Sequence, residues 1–154
     1  DAYRIKVEGR ATFECSPPLR NLVNNITPEG VHQVTVDLAN CSGMDSTFMG
    51  VLAMIAMRSR TIGTAVQVIG CSTANRHLLD GLGLKKLFAY LDAEAAAEEP
   101  DDWDATPETS ATPREQAETV LDAHETLIQA DPANQARFGN VVKLVRDDLA
   151  NLTD

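Results

Sequence analysis

Met44-Asp45-Ser46-Thr47-Phe48-Met49-Gly50-Val51-Leu52 decides the reading of this 154-residue chain. An apolar strand (Val34, Val36, Leu38) and a polar turn lead into it, and a helix leaves it over about residues 46–60. A serine on the first turn of a helix sits among backbone N–H groups with no intrahelical partner, at the positive end of the macrodipole, where a phosphate is well accommodated. Ser46 is therefore a candidate switch. The plainer alternative is a serine that only satisfies those backbone donors, which serine does commonly.

Outward from this stretch, Tyr3 to Glu8 alternates apolar and polar residues, the period of a half-buried strand, with Gly9-Arg10 as a turn. Ser16 before Pro17 and Pro18 reads as the N-cap of a helix that buries Leu19, Leu22, Val23 and Ile26 and ends by Thr27-Pro28-Glu29-Gly30. After the central helix come a strand over 66–70, a helix from Ser72 to Asp80, and a short helix or strand from Leu84 to Leu91. Gly81-Leu82-Gly83 lacks a preceding strand and a third glycine, so it reads as a helix stop and not as a phosphate loop. Strands alternating with helices predict an α/β fold, with helices packed on a mixed sheet.

Three stretches carry a resemblance to STAS domains, the modules of bacterial anti-sigma factor antagonists. The family pattern after the strand is roughly Asp-Ser-Ser/Thr-Gly-x-Gly-Val-Leu, and Asp45, Ser46, Thr47, Gly50, Val51 and Leu52 match it. Val34-Thr35-Val36-Asp37-Leu38 is similar to the family's central strand, and Cys71 to Leu84 to its later helix and Gly-Leu turn. The likeness spans about residues 1–91. Phe48 stands where the family usually has glycine, and Thr12 where it often has aspartate. The resemblance implies that Ser46 takes the place of the phosphorylated serine, with Thr47 as the alternative, and that Asp45, Ser46, Thr47, Phe48, Met49 and Thr12 meet the partner. It also implies that partner to be an anti-sigma factor or a serine kinase-type protein.

Residues 1–91 carry 9 basic and 7 acidic groups, net +2; residues 92–112 carry 8 acidic and no basic ones, net -8; residues 113–154 carry 4 basic and 8 acidic, net -4. Most of the chain's charge of -10 thus lies outside the first segment, and no basic stripe supports nucleic-acid binding. Residues 92–112, rich in alanine, proline, threonine and acids around Trp103, bury too little apolar surface to offset chain entropy and read as an acidic linker. Thr112-Pro113-Arg114-Glu115 then fits a capping box, with Val120, Leu121, His124, Leu127 and Ile128 on one helical face. After Asp131-Pro132, Phe138, Val141, Val142, Val145 and Leu149 recur at spacings of three and four. Residues 113–154 therefore form a helical hairpin whose apolar faces need cover. That cover is either residues 1–91 or, slightly favoured, the hairpin of a second chain in a homodimer.

The longest apolar run, Phe48 to Met57, falls short of the ~18 residues of a membrane span, and no basic-then-apolar leader opens the chain. Cys15, Cys41 and Cys71 are odd in number and lack a CxxC partner, arguing against a disulfide framework or zinc site and for a reducing cytoplasm. His32, His77 and His124 have no metal-ligand spacing and read as surface or boundary histidines. No cofactor, metal or catalytic trio is expected, and Ser46 lacks the GxSxG turn of a hydrolase nucleophile. The run from Phe48 to Met57 is apolar nearly all round; Met49, Met54 and Met57 suit adaptable protein contacts, against the reading that all three are core. The expected function is a non-enzymatic regulatory module switched by phosphorylation of Ser46. The alternatives are a constitutive scaffold or assembly subunit, as in stressosome-like or lipid-transport STAS proteins, and a small hydrolase using Ser46.

Overall fold

A computed structural model of the chain describes residues 1–92 and 111–152. Nearly all of the expected acidic linker, Trp103 included, lies outside the described residues. The elements run β1 (Ala2–Ala11), α1 (Ser16–Leu22), β2 (Gln33–Met44), α2 (Ser46–Thr61), β3 (Val66–Ile69), α3 (Thr73–Gly81), β4 (Phe88–Leu91), α4 (Pro113–Ala130) and α5 (Asn134–Asn151). The strands form one sheet in the order β1-β2-β3-β4.

The α/β architecture is as expected, but every strand pairing is parallel where a mixed sheet was anticipated. Each strand is followed by a helical segment that carries the chain back before the next one, and such crossovers bring successive strands into the same direction. Val34, Val36 and Leu38 alternate into the core, at 1% exposure or less, as the central strand of such a sheet requires.

Two local readings change. Gly9 does not turn the chain: β1 continues to Ala11, and the register against β2 slips on either side of Gly9, whose φ of 75° is the left-handed conformation that a glycine supplies in a bulge. Ser16 is not an N-cap either. It is the first residue of α1, fully buried, and its hydroxyl donates to the Thr12 carbonyl at 2.9 Å, while Thr12 caps the preceding 3-10 turn over Phe13–Cys15.

The long β1–β2 ladder delivers the chain to Asp45. From there α2 runs across the sheet, packing beside α1 and against β2 and β3, and α4 lies along α2 with α5 against α4. Ten of the sixteen residues of α2 are buried. A helix apolar nearly all round is one covered on more than one side, and here the second cover is the C-terminal hairpin. Of the hairpin's apolar faces, which the sequence offered either to residues 1–91 or to a second chain, His124, Leu127 and Val142 are buried within this chain, while Val120, Leu121, Ile128, Phe138, Val141, Val145 and Leu149 are half-buried. All three cysteines are free, and among the described residues no helix is long and apolar enough to cross a membrane.

Candidate functional site

Asp45 closes the junction between the sheet and α2. Its carboxylate accepts the Phe48 amide at 2.8 Å, the N-cap bond of α2, and the Phe13 amide at 2.7 Å, while its own amide donates to the Ala11 carbonyl at 3.0 Å. One acidic side chain thus fixes the start of α2 against the 3-10 turn that follows β1, and holds Thr12 and Ser46 on the same end of the molecule.

The residues named from the sequence separate sharply by burial. Asp45, Ser46 and Thr12 are half-buried, whereas Thr47, Phe48 and Met49 are 5%, 1% and 5% exposed. Phe48 and Met49 belong to the core in this conformation, and Phe48 fills it where the family's usual glycine would leave space. Thr47, the alternative to Ser46, is the more buried of the two. Met54 and Met57 are only partly buried, on the side of α2 that carries Gly50, because positions 46, 50, 54 and 57 follow one another along a helix face.

That face meets α4. A side-chain carbon on Gly50 would stand 2.5 Å from the Ala123 carbonyl oxygen and 2.7 Å from its Cβ, so the two helices touch backbone to backbone. One residue on, His124 is 4% exposed, not the surface or boundary histidine the sequence suggested, and its Nε2 lies 2.9 Å from Ser46 Oγ. Its Nδ1 is 2.7 Å from the Val120 carbonyl. A carbonyl only accepts, so Nδ1 carries the proton, Nε2 is the acceptor, and the Ser46 hydroxyl donates to it. Phe138 of α5 packs edge-on against the ring, with centroids 5.0 Å apart. The pairing has the spacing of a nucleophile and base, but the histidine's other nitrogen is held by its own helix and not by a carboxylate.

Further contacts seat the hairpin. Arg20 of α1 bonds Asp122 through both Nε and Nη2, at 2.8 and 2.7 Å, with Glu118 at 3.6 Å. Asn134, fully buried between the helices of the hairpin, donates to the carbonyls of Leu82 and Leu127 at 3.0 and 2.7 Å, tying its turn to the end of α3.

Burial pushes the His124 imidazole below its ordinary value of 6.5, opposed in part by the bond to Val120 and by the charge of Asp45. An undocked His124 takes up a proton as the pH falls through 6.5, while the docked one resists it, so the contribution of His124 to docking is fully present above that value and is lost progressively below it. Amide exchange measured from about pH 8 down to about pH 5 should therefore show α4 losing protection more in the native chain than in His124→Gln, with β2 little changed. Identical pH profiles for the two chains would refute this linkage.

Residues 1–91 match the family model described as Mlab, STAS domain. The anti-sigma-B factor antagonist of Staphylococcus epidermidis, in strains ATCC 12228 and RP62A alike, is 33% identical over 88 residues, covering 57% of this chain and 82% of the relative. Among solved structures, a sulfate transporter family protein from Wolinella succinogenes aligns with a TM-score of 0.49 at 16% identity, over 58% of this chain and 75% of that one. The chain belongs to the STAS family.

Proposed function

We propose that this protein is a non-enzymatic regulatory module, similar in role to an anti-sigma factor antagonist, whose partner binding is controlled by phosphorylation of Ser46. The observation that carries the reading is the placement of Ser46: first residue of the sixteen-residue α2, half-buried, directly after the Asp45 cap, in a chain that is 33% identical over 88 residues to such an antagonist. Unmodified, the surface around Asp45 and Ser46 binds an anti-sigma factor with kinase activity. A phosphate adds about 1.5–2 negative charges at a spot the helix dipole tolerates but an interface does not, unless it supplies cations, so the partner is released.

Incubation of the full chain with extract of its native cells and ATP, followed by phosphate mapping, tests this. Phosphate is expected on Ser46 and not on the buried Thr47. Absence of phosphate from Ser46 would leave the constitutive scaffold as the better reading, and labelling of Ser46 by a serine-reactive fluorophosphonate would favour a hydrolase, for which the His124 contact supplies the base.

A further inference from the structure

We infer that α4 is an intramolecular cap on the Ser46 surface, so that a kinase or partner reaches Ser46 only after the C-terminal hairpin has moved away from α2. The inference rests on the reading of Ser46 as a switch, and adds a second layer of control carried by a part of the chain that the family match over residues 1–91 does not include.

Three observations converge on it. The Ser46 hydroxyl is occupied: His124 Nε2 stands 2.9 Å from Oγ, with room between them for nothing larger than the hydroxyl proton. The surface beside it is occupied too, since Gly50, on the same face of α2, has the backbone of Ala123 against it. The cap is also built to be removable. Asp45, which would remain behind, makes its side-chain hydrogen bonds to Phe48 and Phe13 and, among the described residues, none to the hairpin, so α2 keeps its N-cap when α4 leaves. Beside the buried Ala123 and Leu127, the seat has polar contacts from Arg20 to Asp122 and Glu118, Asn134 to Leu82, and Ser46 to His124.

The chemistry makes docking and phosphorylation mutually exclusive. A nucleoside triphosphate supplies the phosphoryl group: the Oγ–phosphorus bond forms, the bond from that phosphorus to the bridging oxygen breaks, the diphosphate leaves, and the hydroxyl proton passes to the kinase's base. The product has a phosphoryl group where His124 Nε2 sits, 2.9 Å from Oγ, and the ring is held in place by the Val120 carbonyl and Phe138, so the group and the docked ring compete for one space. The rest of α4 carries Glu115, Glu118, Asp122 and Glu125 against Arg114 alone. Since coupling is reciprocal, docking disfavours the phosphorylated state by the same free energy by which the phosphate disfavours docking.

The test uses the full chain carrying Ser46→Cys, with alkylation of the introduced thiol by iodoacetamide followed peptide by peptide so that Cys15, Cys41 and Cys71 are read separately. Adding Ala123→Glu, which drives a carboxylate into the Gly50 contact, should speed alkylation about tenfold or more while β2 amides stay protected. Where Ala123→Glu also strips protection from β2, Arg20→Ala is read instead, since it removes only the ion pair from α1 to α4 and leaves α2 untouched. An unchanged alkylation rate in a chain whose α4 amides have lost protection overturns the inference. The same hairpin variants with Ser46 retained, incubated with extract and ATP, separate the two readings: faster alkylation without phosphate on Ser46 keeps the cap and discards the phospho-switch, whereas phosphate gained equally by docked and undocked chains keeps the switch and discards the cap.

Discussion

Gly50→Ala should loosen α4 from α2 without unfolding the sheet. The new methyl group would lie 2.5 Å from the carbonyl oxygen and 2.7 Å from the carbonyl carbon of Ala123, and these are backbone atoms that no rotamer change can withdraw. The helices must separate, at a cost of about 1–3 kcal/mol for overpacking a closed contact. Alanine is a better helix former than glycine by roughly 0.8–1.0 kcal/mol, so α2 itself gains while the crossing loses. The two effects fall on different amides. Hydrogen exchange should show α4 and α5 opening more readily and α2 at least as protected as before; α4 protection equal to that of the parent chain would mean that the two helices do not cross at Gly50.

Phe48→Ala should be far more costly, and global. Phe48 is 1% exposed, among the largest fully buried side chains, and two residues from Gly50 it points to the opposite side of α2, away from α4. Truncating a buried phenylalanine removes its transfer energy and leaves a cavity, about 3–5 kcal/mol together, which is a large part of the stability of a chain this size. Denaturant titration measures it directly. A loss below about 1 kcal/mol would return Phe48 to the partner-facing surface where the sequence had placed it.

The contrast between these two residues shows what the sequence could reveal. Strands and helices were legible because their apolar residues recur at periods of two and three to four; Val34, Val36 and Leu38 alternate, and Leu19 and Leu22 repeat. The Asp45 cap is local, reaching the Phe48 amide three residues on, so it needs no tertiary contact to form. The bulge at Gly9 was misread as a turn, since a glycine before a charged residue serves either purpose and only pairing with β2 distinguishes them. The seat of α4 was not legible for a different reason. Gly50 and Ala123 are small, and hydrophobic periodicity gives them little weight, yet their smallness is what brings the helices together. The apolar surround of α2 was the available signal: it announced a second covering layer without saying that residues 113–151 supply it. Ser46 and His124 stand 78 residues apart, and no local pattern joins them.

A cap carried on the same chain differs from a soluble inhibitor in one quantitative respect: dilution does not remove it. Its local concentration is set by the segment that joins it to α2, so the fraction of molecules with Ser46 uncovered is a property of the chain and does not change with expression level. A partner therefore meets a pool of competent molecules smaller than the total, and its apparent Kd is its intrinsic Kd divided by that fraction. If the uncovered form is on the order of 1%, the apparent affinity is about a hundredfold weaker than the contact itself provides. Substitutions confined to α4 and α5, touching no residue of the partner surface, would then tune the threshold at which this module responds.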